Sequence, residues 1–159
     1  MSIDCHLKLA GVEGESTHKD HKGEIDVLSW NWDVTNESSV GQGGGSGKGK
    51  ARPGAFTFSH NYDKASPVLA KNCALGKHFA DATVTLRKSG DGQQAFLTIK
   101  MKQVFVTSVH PSAMSGGDVM ELVTLTYDDI DFAYKPQDAK GGLGGEVKFG
   151  WTVSTKDVR

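Results

Sequence analysis

Few residues in this chain have types and spacing that could do chemistry. Gly44-Gly-Ser-Gly-Lys-Gly49-Lys50 has the G-x4-G-K spacing of a phosphate-binding loop. Ala51 then stands where a Ser or Thr would ligate Mg²⁺, and Arg52-Pro53 opposes the helix whose N-terminus would hold the phosphates. His18 and His21 are spaced like metal ligands, and Cys73 with His78 forms a second loose pair. Two ligands from one loop do not complete a metal site, so these read as solvated loop histidines. Asp128, Asp129 and Asp131 crowd at a break in strand periodicity, where a solvated bulge is the simpler reading than an acid/base pair. There is no G-x-S-x-G elbow and no catalytic-cysteine signature. No metal and no cofactor is expected, and the chain does not read as an enzyme.

The elements that must position any site are mostly strands. Ile25 to Val34 is the clearest. Leu28, Trp30, Trp32 and Val34 fall on one side, and Ser29, Asn31 and Asp33 on the other. A period of two marks a half-buried strand. Each Trp can bury ~150–250 Å², so the tryptophan side is expected in a core. The polar side either faces water or lines something. Ile3, Cys5, Leu7 and Leu9 alternate with Asp4, His6 and Lys8 as a first strand. Phe56 and Phe58 mark another. Ser66 as N-cap, Pro67 at the first helical position and Gly76 as the stop bracket one short helix, with Val68, Leu69 and Cys73 as its apolar stripe. Ala82, Val84 and Leu86 form the next strand.

Gln94 to Val109 alternates with a phase slip between Met101 and Val104, as a bulge or bend produces. Val119 to Tyr134 slips at Asp128-Asp129 and is expected to leave one sheet and join another. Val147, Phe149, Trp151 and Val153 form the last strand. Seven or eight strands and one helix predict a mainly β fold: an antiparallel β-barrel of two sheets with one short flanking α-helix.

Length predicts a single domain over residues 1–159. A long glycine-rich loop at about 38–54 has almost nothing to bury and should project from the body. The formal charge is −1, which disfavours a sequence-independent grip on nucleic acid. Cys5 and Cys73 read as small hydrophobes rather than a disulfide. No apolar window is long enough to span a membrane. The N-terminus carries no secretory signal pattern, so a cytoplasmic start is expected, with any export by a route that cleaves no leader.

Several stretches together resemble the haemolysin-coregulated protein (Hcp) family of bacterial type VI secretion. They are Gly14-Glu15-Ser16, the run from His21 through Glu24 to Trp30-Asn-Trp32, Asp63-Lys-Ala-Ser66-Pro67-Val-Leu69, Cys73-Ala-Leu-Gly76-Lys77-His78-Phe79, Ala82 to Lys88, and Gly150-Trp151. Together they cover essentially the whole chain in order.

The resemblance implies a phage tail-tube-like barrel, a homohexamer with stacked rings, and a hollow tube fired from the cell. It implies type VI effectors held in the lumen, and sheath and spike-tip proteins as partners, with no nucleic acid and no membrane insertion. The protein would be cytoplasmic before firing and secreted afterwards. On this reading Ser29, Asn31 and Asp33 are expected at the effector-binding lumen. Asp33 stands where the family commonly has glycine. Lys48, Lys50 and Arg52 are expected on the loop that contacts the neighbouring ring. The competing expectations are a monomeric β-barrel binding module that takes a sugar or peptide through its loops, and a hydrolase with an unrecognised site.

Overall fold

The computed structural model describes residues 2–37, 50–90, 92–140 and 142–159. In chain order the elements are β1 (Ile3–Leu9), β2 (Ile25–Asp26), β3 (Ser29–Asn31), β4 (Val34–Asn36), β5 (Ala51–Pro53), β6 (Phe56–Asn61), α1 (Ser66–Leu75), β7 (His78–Lys88), β8 (Ala95–Ala113), β9 (Val119–Thr126), β10 (Asp129–Tyr134), β11 (Val147–Thr152) and β12 (Asp157–Val158). Every strand pairing is antiparallel. The expected fold class, mainly β with one helix, holds.

The neighbours run from β2 through β1, β7 and β8 to β9, β6 and β3. The circuit returns to its start through Val27 and Leu28. Val27 N–H donates to Cys5 O at 2.9 Å, and Leu28 N–H donates to Ser59 O at 2.8 Å. The chain therefore leaves β1 for β6 between these two residues. Strands β10, β11 and β12 extend the sheet beyond the first half of β8.

This hand-over corrects the reading of Ile25 to Val34 as one strand. It is three short pieces. Ile25 and Val27 are buried, but Leu28 is 55% and Val34 47% exposed. Changing partners shifts the parity, so the alternation cannot hold one face throughout. Trp30 and Trp32 are half-buried against the core, Trp30 stacked on Phe56 with centroids 5.6 Å apart.

The two phase slips are two sides of one corner. Gln103 has φ of 52°, which restarts the alternation of β8. Before that point β8 pairs with β10, and after it with β9. The break between β9 and β10 lies opposite, where Asp128 N–H donates to Lys102 O. The expected switch of sheets is thus present, as a gap between two strands.

Leu7, Leu9, Phe56, Phe58, Ile99, Met101, Leu125 and Ile130 fill the interior. Each such side chain contributes about 1.5–3 kcal/mol when fully buried. Helix α1 closes one flank through Leu69, with Cys73 packed against the core. Val68, expected on the same stripe, is exposed.

Ser66 is the first helical residue and not the cap. Its Oγ accepts the Asp63 N–H, while Asp63 Oδ1 accepts the Ala65 N–H. The capping work is therefore shared one turn earlier than expected. Gly76 ends the helix in the left-handed region with φ of 66°, a conformation that glycine adopts without a Cβ penalty.

Candidate interaction face and arm

Ser29 and Asn31 project from β3 on the side away from Trp30, and both are exposed. Their cross-strand partners continue the same chemistry. Ser29 lies opposite Ser59, which lies opposite Leu122 and then His110. Asn31 lies opposite Thr57, then Thr124 and Ser108. Ser29 Oγ and Ser59 Oγ are 2.5 Å apart, and Thr107 Oγ1 donates to Thr124 O at 3.3 Å. The result is a band of short hydroxyl and amide side chains across β3, β6, β9 and β8, interrupted by the exposed Leu122. Thr57, Ser59, Thr124 and Ser108 were not singled out from sequence, although Thr57 and Ser59 alternate with the buried Phe56 and Phe58.

Asp33 does not join this band. It sits past the end of β3 at the root of the arm. Its carbonyl accepts the Gly54 N–H at 2.7 Å, and a Cβ on Gly54 would collide with both its carboxylate and its backbone.

The arm leaves the barrel on β4 and returns on β5, with Val34 opposite Pro53 and Asn36 opposite Ala51. Trp32 Nε1–H donates to Tyr127 Oη at 2.5 Å, and Tyr127 O–H donates to Gly54 O at 2.7 Å. Trp32 also packs on Phe132 and Phe149, with centroids at 4.8 and 6.1 Å. Burial pushes the Tyr127 phenol up, against the Trp32 N–H and with help from Asp33, so it remains an O–H donor. One tyrosine thus ties Trp32, just before the arm, to Gly54, just after it.

Of the three arm cations, Lys48 lies outside the described residues. Lys50 is exposed. Arg52 Nη2 lies 3.5 Å from Glu37 Oε1 across the hairpin, with both side chains mostly in water. Most of the phosphate-loop-like segment, residues 44–49, also lies outside the described residues. After it the chain forms β5 and not a helix.

Two other readings are corrected. His18 and His21 are not solvated loop side chains. They are half-buried and pack with His6, which is 4% exposed although it lies on the polar side of β1. No group of three or more His, Cys, Asp or Glu among the described residues could hold a metal ion. Asp129 and Asp131 are not a solvated bulge either. Arg159 bridges them at 3.0 and 3.1 Å, and Asp128 accepts the Ser154 N–H. These carboxylates anchor the C-terminal strand β12, which sequence patterning missed.

Sequence reading also missed His60. Fully buried on β6, it lies 2.8 Å from the equally buried Glu121 and 3.7 Å from Asp63. Burial opposes its charge, but the nearby carboxylates of Asp63 and Glu121 outweigh burial and raise its pKa. Both cysteines are free and half-buried, and burial pushes the Cys5 thiol up to about 12.

Fold and surface together define a mainly β scaffold with one flanking helix, whose accessible features are an open polar sheet face and a braced arm. Residues 6–134 match the family described as type VI secretion system effector, Hcp. The chain is 40% identical over 156 residues to protein hcp1 of Pseudomonas aeruginosa, with 96% of each covered. Among solved structures it is similar to a type six secretion system protein, with a TM-score of 0.93 and 30% identity over 99% of this chain and 100% of that one. It is also similar to Hcp1 from Salmonella typhimurium, with a TM-score of 0.83 and 32% identity over the whole of both chains. The chain belongs to the Hcp family of type VI secretion.

Proposed function

We propose that this chain is a structural subunit of the type VI inner tube. Six copies form a ring, rings stack into an exported tube, and effector proteins are held in the lumen. The protein is cytoplasmic before firing and is then secreted, with sheath and spike-tip proteins as its partners. The observation that supports this best is the open band around Ser29 and Asn31. It spans four strands of a family barrel and stays exposed at Ser29 and Asn31 among the described residues. A contact between unlike faces that closes on itself makes a ring, and such a band then forms a continuous inner wall. Asp33 stands at the edge of that wall, where it adds negative charge next to the arm. The braced arm with Lys48, Lys50 and Arg52 reaches the next ring.

The first experiment is the solution mass of the purified protein at low and high salt, with negative-stain images of the same samples. Rings of about six chains, partly stacked at low salt, are expected. A monomer at every concentration and salt would favour a self-contained binding module. Lumen assignment is tested separately with Asn31→Gln, which keeps the amide but extends it by one methylene. It is expected to reduce copurification of a cognate effector while leaving the ring mass unchanged. Unchanged copurification would remove Asn31 from the effector contact.

A further inference from the structure

The loop from Gly11 to Glu24 lies over the polar side of β1 and carries a cluster that the tube reading does not use. His6, His18 and His21 form a triangle of imidazoles. His6 and His21 stack with centroids 4.6 Å apart and planes 8° from parallel. His18 lies 5.4 Å from His6 and 5.5 Å from His21, tilted to both. The loop is also held by backbone bonds from Gly14 N–H to Gly23 O, Ser16 N–H to Glu24 O and Gly23 N–H to Ser16 O. Its outer edge reaches the turn that leads into α1, where Glu13 pairs with Lys64 Nζ and Glu15 accepts the Lys64 N–H.

We propose that the His6–His18–His21 triangle is an acid-released latch that holds the Gly11–Glu24 loop closed on β1 and frees it when the imidazoles take up protons. Three features carry this. First, His18 Nδ1 accepts the Asp20 N–H at 3.1 Å. In the neutral ring the proton is therefore on Nε2. Protonating Nδ1 turns this acceptor into a donor and breaks the bond. Asp20 in turn is the carboxylate partner of the buried Arg87, at 3.4 Å.

Second, His6 Nδ1 is buried with no hydrogen-bond partner among the described residues, so a proton placed there is unsolvated. Third, charging both stacked rings sets two cations face to face. Burial first, and His21 next, hold His6 below its ordinary value, against Asp26 and Glu24.

The surrounding charges do not relieve this. In the loop, Glu24 Oε2 lies 3.0 Å from His21 Nδ1. Asp26 on β2 lies 3.2 Å from His6 Nε2 but is mostly exposed, which screens it. Lys8 on β1 and Lys19 and Lys22 in the loop line the same cleft with Asp20 and Glu24. Arg87 faces the cluster from β7, and Asp4 on β1 is occupied by Ser89. The closed loop thus disfavours a proton on His6, and the open loop does not. With one proton more bound at His6 when open, opening is favoured by up to ~10-fold per pH unit below about pH 6.5. The latch belongs to the single chain and does not rest on ring assembly.

The test is amide hydrogen exchange of the full-length protein between about pH 7.5 and about pH 5, corrected for intrinsic rates. In the wild type, protection at Gly14, Ser16, Gly23 and Glu24 is expected to fall by at least tenfold while β7 and β8 stay protected. In His18→Asn, which keeps an acceptor for the Asp20 N–H but cannot be protonated, most of that fall should disappear. His6→Phe, which keeps a buried ring, should act in the same direction. If His6→Phe does not fold, His18→Asn decides alone. An unchanged pH profile in His18→Asn, or a simultaneous loss of protection in β7 and β8, would overturn the latch.

Discussion

Buried histidines set the pH behaviour of this chain in opposite directions. His60 sits between Glu121 and Asp63 with its pKa raised, so the folded state holds the proton more tightly than the unfolded chain does. Its contribution is therefore fully present below about pH 6.5 and is lost as pH rises through the raised value. His6 has the reverse sense, contributing above about pH 6.5 and losing that contribution as pH falls. Removing one partner of a buried ion pair leaves the other uncompensated. Glu121→Ala is thus expected to destabilise the fold by about 3–5 kcal/mol at neutral pH. Urea unfolding measures this directly. The gap between wild type and variant should narrow from about pH 6 to about pH 9 as His60 loses its proton. A gap that stays constant or widens would mean that His60 is neutral in the fold.

Among the elements, the bent strand β8 and the tryptophan segment carry the architecture. β8 exchanges β10 for β9 at Gln103, and the tryptophan segment exchanges β1 for β6 at Val27-Leu28. Both exchanges show in the sequence as broken alternation. The first was legible because apolar residues sit on both sides of the slip. The second was hidden, because Leu28 and Val34 keep the parity of the two tryptophans while pointing into solvent.

Tyr127 fastens the arm to this corner. Tyr127→Phe removes the acceptor of Trp32 Nε1–H and the donor to Gly54 O, at a cost of about 1–3 kcal/mol. Limited proteolysis is the sensitive readout. Cleavage near Lys50 and Arg52 should accelerate more than cleavage elsewhere. Equal rates in the two proteins would show that the β4–β5 pairing braces the arm unaided.

At the scale of the whole molecule, assembly by the arm is expected to be weaker than assembly of the ring. Exposed ion pairs contribute ~0–1 kcal/mol each. Raising ionic strength from about 0.1 M to about 1 M shortens the screening length from about 10 Å to about 3 Å. Contacts carried by Lys50 and Arg52 should weaken over that range. Exposed apolar residues such as Leu28 and Val147 would gain rather than lose from salt if they are covered in the ring. Stacks that dissolve into intact rings at high salt fit this division, whereas rings that fall apart before the stacks would reverse it.

Seven or eight strands were expected where the described residues form twelve, but the mainly β class, the single helix with its glycine stop, the corner at the two phase slips and the family itself were legible in the sequence. Each rests on short-range chemistry: period-two burial, the left-handed preference of glycine, or local motifs taken in order. The polar band was legible only at Ser29 and Asn31. Its remaining members acquire meaning from register, which pairs residues 26 to 67 positions apart, as Asn31 with Thr57 and Thr57 with Thr124. The same holds for His60 with Glu121, for Arg159 with Asp129 and Asp131, and for His6 beneath His18 and His21. A polar side chain reads as solvated when only its neighbours in sequence are known. Tertiary structure alone decides whether another segment covers it, because desolvation and charge pairing depend on distance in space.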